Sequence, residues 1–207
     1  MIKKEKHFEL TEEYKVNYAG VKLFRIKATK DFKSIKKGDL GGFIEKYSNL
    51  YGNAWVSGNA RVYGDARVSG NARVYGNAEV SGNARVYGDA RVSGNARVYG
   101  NAWVSGNARV YGDARVSGNA EVYGDAWVSG NARVYGNADF CVFNNFGSRN
   151  RSTTFFRTKE NVIYANCGCF YGTLKEFENK VNINHGNNKH GKEYLAIIEV
   201  VKIKFDL

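Results

Sequence analysis

The sequence predicts an all-β solenoid, a stack of parallel coils, with a small module at each end. Val recurs at every sixth position from Val56 to Val134. Between successive valines stand a glycine, then Asn or Asp, then Ala, as in the segment GNARVYGDARVS at residues 58–69. A six-residue period matches neither the α-helical turn nor the heptad, and a recurring Gly next to Asn or Asp disfavours a helix interior.

Each six-residue unit is interpreted as a short strand followed by a corner. In a strand, Val points to one side and its two neighbours point to the other. Gly and the following Asn or Asp tolerate left-handed backbone and should form the corner, and Ala is small enough to sit inside the bend. Stacked coils pair each strand with the coils above and below at about 4.8 Å, and the open ends of such a stack need protection.

The segment VSGNAR at residues 56–61 resembles the hexapeptide repeat of left-handed parallel β-helix proteins. The resemblance covers residues 44–146, with Ile44 and Leu50 before the valines and Phe140 and Phe146 after them as further rungs. It implies triangular coils of three hexapeptides, about six coils in total, wound in the left-handed sense.

A second period competes with the 18-residue coil. Ser and Tyr alternate after Val, as in Ser57 and Tyr63, which gives a period of 12, and Asp65 and Asp89 mark a period of 24. We favour 18 residues per coil because of the hexapeptide resemblance; the longer periods fit a history of duplication.

Residues 1–43 lack the repeat and are predicted to form a β-rich cap over the first coil. A hairpin is expected around Ala19-Gly20, with Val21, Leu23 and Ile26 as its apolar side. The segments 37–39 and 41–42 are expected to be turns that lead into a solenoid spanning residues 44–147.

Residues 148–207 are predicted to form a compact α/β module. A hairpin should turn at residues 159–161, and Thr173 with Glu176 forms a capping box for a helix over residues 174–183. Gly191 precedes a second helix over residues 192–205, which is expected to finish as a strand. Together the two ends resemble small, mostly uncharacterised hexapeptide proteins of bacteria and their phages. This resemblance implies a phage-encoded accessory or host-interaction protein, with counter-defence as one such role.

The chain is basic, with 31 Lys and Arg against 20 Asp and Glu and a formal net charge of +11. Such a surface attracts acidic partners, nucleic acid included. Neither a secretory signal nor a membrane-spanning run is evident, and three cysteines are too few for a disulfide scaffold. We therefore expect a cytoplasmic protein that does not bind membranes.

The sequence offers little that indicates catalysis. The hexapeptide resemblance implies, for acyltransferases, a catalytic His on the β-helix, whereas the histidines here are His7, His185 and His190. We therefore expect a non-catalytic protein without a cofactor, and an acyltransferase is the second alternative function.

Cys167 and Cys169 with His185 and His190 form a weak candidate zinc quartet. A single residue between the two cysteines is tighter than the usual zinc spacing. The favoured interpretation is two alternating strand positions and two loop histidines, with no metal.

The position before each Val holds mostly Arg. Sorting this slot by 18 gives three rows: Trp55, Arg73, Arg91, Arg109 and Trp127; Arg61, Glu79, Arg97, Arg115 and Arg133; and Arg67, Arg85, Trp103, Glu121 and Asp139. The first row has no acidic member, and Tyr75 and Tyr111 lie beside it. These seven residues are the predicted binding surface, with Trp55 and Trp127 as exposed anchors at its two ends.

The sequence therefore predicts a rigid interaction scaffold that binds a protein or another acidic macromolecule. The first alternative is a nucleic-acid-binding protein that uses the Arg, Tyr and Trp face. The hexapeptide resemblance also implies a homo-oligomer, a trimer or a dimer. A purely structural interpretation stays open, in which stacked arginines lie along tyrosine rings and guard a flat surface against aggregation.

Overall fold

The computed structural model describes residues 6–207, so the first five residues of the predicted cap lie outside the described residues. Along the chain come an antiparallel β-module, a solenoid of very short strands, and a four-stranded sheet with two helices. Over the described residues, neither helix combines the length and the apolar character needed to cross a membrane.

The N-terminal module contains strands β1 (Phe8–Val16), β2 (Lys22–Ala28) and β3 (Leu40–Ile44), which pair antiparallel in that order. The predicted hairpin is confirmed: Asn17 Oδ1 accepts hydrogen bonds from the backbone nitrogens of Ala19 and Val21. Leu23 and Ile26 are fully buried, as expected of the apolar side.

Fourteen two-residue strands, β4 to β17, build three faces of the solenoid. Face 1 consists of β4 (Trp55–Val56), β7 (Arg73–Val74), β10 (Arg91–Val92), β13 (Arg109–Val110) and β16 (Trp127–Val128). Face 2 consists of β5 (Arg61–Val62), β8 (Glu79–Val80), β11 (Arg97–Val98), β14 (Arg115–Val116) and β17 (Arg133–Val134). Face 3 consists of β6 (Arg67–Val68), β9 (Arg85–Val86), β12 (Trp103–Val104) and β15 (Glu121–Val122).

Parallel pairing fixes the coil at 18 residues. Arg91 pairs with Arg73 on one side and with Arg109 on the other, and the other faces follow the same register. The favoured coil length is therefore confirmed and the 12-residue alternative is wrong. The left-handed sense implied by the hexapeptide resemblance stays a prediction.

Valine and alanine of each unit are fully buried along the axis, as predicted. The corners of the stack are made by glycine alone: the repeat glycines from Gly52 to Gly130 adopt φ of +58° to +73°, whereas no Asn or Asp in that stretch has a positive φ. A Cβ on Gly70 would also lie 3.0 Å from the backbone nitrogen of Gly88 in the next coil. Asn and Asp instead link successive corners, as where Asn95 Nδ2 donates to Asp113 Oδ1 over 3.0 Å.

Two glycines expected in a turn lie within a strand. Gly41 and Gly42 belong to β3, which pairs parallel with β5 and so joins the N-terminal sheet to face 2. A Cβ on Gly42 would lie 2.7 Å from the Ala60 carbonyl oxygen, so the close approach of β3 to the first coil requires glycine there.

The solenoid has about five turns rather than six. Strand β18 (Phe140–Phe146) pairs antiparallel with β19 (Arg151–Arg157) and adds no parallel strand to the stack, so Phe146 is not a rung. Phe140, at the start of β18, is still buried in the core of the solenoid. Asp139, which was expected in the face-3 row, lies instead in a short 3₁₀ helix, Asn137–Asp139. Its Oδ1 lies 3.6 Å from Arg157 Nε. A second 3₁₀ helix, Tyr47–Asn49, precedes the first coil.

The C-terminal module continues with β20 (Ile163–Cys167) and β21 (Phe170–Thr173), giving the antiparallel order β18-β19-β20-β21. The hairpin between β19 and β20 and the capping box at Thr173 are confirmed. Helix α1 (Leu174–His185) and helix α2 (Lys189–Phe205) pack on this sheet around Phe155, Phe177 and Ile198. The strand expected at the end of the chain is wrong, because α2 remains helical to Phe205.

Single side chains satisfy the backbone groups at the ends of the stack. At the first coil, Asn49 Nδ2 donates to the carbonyls of Gly64 and Ala66, and His7 Nε2 lies 2.9 Å from the Ala54 carbonyl oxygen. At the last coil, the backbone nitrogen of Trp127 donates to Thr154 Oγ1, and that of Glu121 donates to Asn137 Oδ1. These contacts protect edges that would otherwise pair with another chain.

Candidate functional site

The first predicted row exists as a column on face 1. Register along β4, β7, β10, β13 and β16 stacks the five side chains in the predicted order, from Trp55 to Trp127. The side chains at the two ends of the column contact different parts of the protein. These contacts determine which side chains of the column are accessible to a partner.

The N-terminal end of the column is covered. Trp55 is only 5% exposed, with its ring 5.4 Å from Phe32 and 6.4 Å from His7. The expectation that Trp55 is an exposed anchor is therefore wrong, because the N-terminal module packs over it. Arg73 beside it is half-buried, and its Nη2 donates to Ser34 Oγ over 3.5 Å.

The C-terminal end of face 1 is held by the last module. Trp127 is half-buried, with the guanidinium of Arg109 4.8 Å from its ring centre. Asn166 Nδ2 donates to Tyr111 Oη over 3.2 Å and to Ser129 Oγ over 3.3 Å. Tyr111 is thus a docking point for the module.

Three residues of the predicted surface are exposed on face 1, namely Tyr75, Arg91 and Arg109. Together they form a patch between the two end modules, smaller than the seven-residue surface that the sequence predicted. The role of the surface in binding stays a prediction.

Face 2 is mixed in charge, and β1 to β3 extend its sheet beyond the first coil. Arg61 and Glu79 at this end of the column are half-buried, whereas Arg97 is exposed. Tyr63 Oη donates to Glu79 Oε1 over 2.5 Å, and burial together with this hydrogen bond raises the pKa of the tyrosine. Ser81 and Ser117 are buried beside the column. This face therefore contributes mainly to the stability of the stack.

Face 3 is open along its length. In the part of the chain that the structure describes, the sheet β6-β9-β12-β15 includes no strand of either end module. Its column exposes Arg67, Arg85, Trp103 and Glu121, and Trp103, which is 37% exposed, lies between Arg85 and Glu121. The Arg85 guanidinium lies 5.1 Å from the Trp103 ring centre, and the Tyr87 ring meets the same indole edge-on at 6.4 Å.

These side chains form a shallow groove of about 410 Å³. It is lined by Tyr51, Arg67, Ser69, Arg85, Tyr87 and Trp103. A second groove beside it shares Arg67, Arg85 and Trp103 and adds corner residues, including Asp65 and Asn101. Face 3 thus concentrates exposed arginine and aromatic side chains around one tryptophan.

The arginines of the repeat slot lack carboxylate partners. Within residues 6–207, none of them lies within ion-pair distance of an Asp or Glu side chain: Arg61, Arg67, Arg73, Arg85, Arg91, Arg97, Arg109, Arg115 and Arg133. By contrast, Lys46, which follows β3 and precedes the first coil, pairs with Asp65, with Nζ 2.9 Å from Oδ1. The column arginines are therefore free to pair with an acidic group from outside.

The sequence did not single out face 3, because its row contains Glu121 and looked mixed. The signal that could have found it is Trp103, the one tryptophan far from both ends of the repeat. Exposure depends on where the end modules dock, and their docking positions are not encoded in the repeat itself.

The candidate zinc residues do not come together as a quartet. Cys167 ends β20 and accepts a hydrogen bond from Thr153 Oγ1, whereas Cys169 is exposed in the following turn. His185 ends α1 and His190 lies in the first turn of α2, with ring centres 6.1 Å apart. Among the described residues, no group of three or more His, Cys, Asp and Glu side chains could hold a metal ion.

Among known protein families, a match is found for the repeat region of the solenoid. Residues 54–130 are similar to the YdcK β-solenoid repeat. The model of the YdcK β-solenoid repeat family matches seven overlapping segments of the chain: 54–70, 66–82, 78–92, 90–106, 102–116, 108–124 and 114–130. A comparison with curated proteins gives no match. The repeat region is therefore a β-solenoid by both sequence similarity and structure, while membership of the hexapeptide superfamily stays a prediction.

Proposed function

We propose that the protein is a non-catalytic interaction scaffold whose face 3 binds an acidic segment of a protein partner. One observation carries the proposal: Arg67 and Arg85, which form no ion pair among the described residues, stack in one exposed column with Trp103, which lies between Arg85 and Glu121. The solenoid acts as a rigid support that keeps these side chains in register.

Arg67 and Arg85 occupy the same position on successive coils, one strand spacing apart, about 4.8 Å. Their positive charges lie on neighbouring strands and repel each other, and a carboxylate placed between the two guanidinium groups relieves the repulsion. A guanidinium can also bind a carboxylate through two parallel hydrogen bonds. The pair is therefore suited to an Asp or Glu side chain of a partner.

Trp103 and Tyr87 supply the apolar part of the surface. Trp, Tyr and Arg are the residue types that most often dominate the binding energy of a protein interface. The edge-on contact with Tyr87 and the guanidinium of Arg85 restrain the indole before any partner binds, which lowers the entropy lost on binding.

A non-catalytic role is supported by the positions of the histidines. His7 is buried at the first coil, where Nε2 lies against the Ala54 carbonyl, and His185 and His190 lie in the C-terminal module. Over the described part of the chain, none is placed on an exposed face of the solenoid as the general base of an acyltransferase would be. The phage-encoded role, the cytoplasmic location and the homo-oligomeric state remain predictions.

A second candidate is the binding of single-stranded nucleic acid to the same face. The observation that favours it is the interleaving of aromatic rings with arginines in the groove, since bases stack on such rings while phosphates meet the cations. Asp65 beside the groove and Glu121 in the next strand would repel any polyanion, peptide or nucleic acid, so the comparison of the two probes decides between the candidates.

Fluorescence anisotropy with two labelled probes separates these candidates: a polyglutamate peptide and a single-stranded DNA oligonucleotide. We expect the peptide to bind in a salt-sensitive manner, and Trp103→Ala to weaken binding by about tenfold, the scale of one interface anchor. Arg97→Gln on face 2 is the control and should change the affinity by less than about twofold.

Preferential binding of the oligonucleotide, with the same loss in the Trp103 variant, would favour the second candidate. The scaffold proposal fails if neither probe binds at low salt, or if the Trp103 variant binds as well as the wild-type protein.

A further inference from the structure

A second concave site lies in the C-terminal module, away from face 3. It opens between the end of β20, the turn before β21, the loop that precedes β19, and the two helices, and its volume is about 530 Å³. Phe170, Phe177, Val181 and Tyr194 form its apolar wall. Cavities of this size and composition are typical of small-molecule sites.

The rim of this pocket is cationic. Arg149, Arg151 and Lys180 line it, and all three side chains are exposed. Among the described side chains, no Asp or Glu lines the pocket, and none of these three cations makes an ion pair. Three uncompensated positive charges around an apolar cavity attract an anion that has an apolar part.

Polar groups lie at the base of the pocket. The Cys167 thiol lies 3.7 Å from Tyr194 Oη and accepts from Thr153 Oγ1 over 3.1 Å. Burial, followed by the contact with Cys167, raises the pKa of Tyr194, so its hydroxyl stays protonated and can donate. The His185 ring lies 5.8 Å from the Tyr194 ring at 32°, which adds a second flat surface.

We propose that this pocket binds a nucleoside phosphate. Its base would lie against the aromatic wall of Phe177, Tyr194 and His185, and its phosphate would be held at the rim. Aromatic rings stack on any base, and Arg and Lys together bind phosphate through paired hydrogen bonds and charge. The proposal does not rest on face 3.

The nucleoside phosphate has two possible sources, a free nucleotide or the phosphorylated end of a strand. Arg151 and Gly168 also line a neighbouring groove, of about 390 Å³, together with Arg109 and Trp127 of face 1. A strand whose end occupies the pocket could continue over this groove, whereas a free nucleotide would fill the pocket alone.

Isothermal titration tests the proposal. The ligands are the four ribonucleoside 5′-monophosphates, the four nucleosides, inorganic phosphate, and one oligonucleotide with and without a 5′-phosphate. We expect saturable binding of a monophosphate or of the phosphorylated oligonucleotide, at least about tenfold tighter than its unphosphorylated form and than phosphate alone. Tighter binding of the monophosphate assigns the free nucleotide as the source, and tighter binding of the oligonucleotide assigns the strand end.

Arg149→Gln with Lys180→Gln should weaken this binding by at least about tenfold, because two charged contacts to the phosphate are removed. The matched control is Lys175→Gln with Lys192→Gln, which changes the net charge equally at exposed helix positions outside the pocket and should leave the affinity within about twofold. Binding of polyglutamate to face 3 should be unchanged in both variants, so failure here is distinct from failure of the scaffold proposal.

The cysteines give a readout that needs no substitution. At a saturating concentration of the bound ligand, alkylation of Cys169 at the pocket should slow, while Cys141 in β18, which does not line the pocket, should react at an unchanged rate. The proposal is overturned if no phosphorylated ligand binds more tightly than its unphosphorylated form. It is also overturned if the paired pocket substitutions leave binding intact, or if alkylation of Cys169 is unaffected by the ligand.

Discussion

Face 1 and face 3 are built from the same six-residue unit in the same 18-residue register, yet they present different surfaces. On face 1 the N-terminal module buries Trp55 and the C-terminal sheet engages Tyr111, so an exposed patch remains in the middle. On face 3 the column from Arg67 to Trp103 is open. The repeat therefore arranges side chains into rows, and the end modules determine which row a partner can reach.

The largest expected difference between the two faces concerns stability. Trp55→Ala removes a side chain that is 5% exposed from beneath the N-terminal module and should lower the free energy of unfolding by about 3–5 kcal/mol. Trp103→Ala, at the same slot on face 3, should cost about 1 kcal/mol or less, since that ring is 37% exposed. Urea unfolding followed by circular dichroism measures both, and equal losses would show that the two faces are covered alike.

A smaller difference is expected between the two ends of face 3. Asn49 is fully buried and donates to two backbone carbonyls, so Asn49→Ala leaves buried acceptors unpaired and should cost about 1–3 kcal/mol. Asn137 is exposed and accepts one hydrogen bond, from the backbone nitrogen of Glu121, so Asn137→Ala should cost about 0.5–1 kcal/mol. The same unfolding measurement applies. A larger loss for Asn137 would mean that the last coil, and not the first, limits the stability of the stack.

The smallest expected effect is a pH dependence at the covered end of face 1. Burial lowers the pKa of His7 below its ordinary value of 6.5, and the positive charges of Lys30 and Lys6 lower it further, against the opposing contact with the Ala54 carbonyl. As the pH falls, His7 is therefore protonated in the unfolded chain before it is protonated in the folded protein. The contribution of neutral His7 to the free energy of unfolding is fully present above pH 6.5 and is lost progressively below it.

His7→Gln keeps a donor near the carbonyl and removes the titration. The urea midpoint of the wild-type protein should fall between about pH 7.5 and pH 5.5 by more than that of the variant. If the urea midpoints of the two proteins change identically with pH, protonation of His7 does not affect the stability of the protein.

The sequence was sufficient to predict most features that depend on local repetition, although it expected left-handed backbone at Asn and Asp as well as at the corner glycines. The valine series predicted the buried rungs, and the 18-residue sorting placed Arg73 beside Arg91 and Arg109, as the strand pairing confirms. Local turn and capping signals also predicted the hairpin at Ala19-Gly20 and the start of α1 at Thr173. Each of these depends on residues close together in the chain or on one repeated contact.

What the sequence did not predict depends on contacts between distant segments. Phe140 and Phe146 continue the six-residue spacing, but their strand pairs antiparallel with β19 and adds no further coil, although Phe140 still packs in the solenoid core. Gly41 and Gly42 were predicted to form a turn, but they lie in a strand because β3 pairs with the first coil. Trp55 is buried because the N-terminal module packs over it.

The most direct test of face 3 as the interaction surface compares two charge-matched double variants for binding of the polyglutamate probe. Arg67→Gln with Arg85→Gln removes the open face-3 pair, and Arg91→Gln with Arg109→Gln removes an equal charge from face 1. We expect the face-3 variant to lose at least about tenfold in affinity and the face-1 variant less than about threefold, since only the first removes the two arginines that precede Trp103 in its column. Equal losses would show a general effect of net charge, and a larger loss for the face-1 variant would place the surface on face 1; either result would contradict the assignment of face 3.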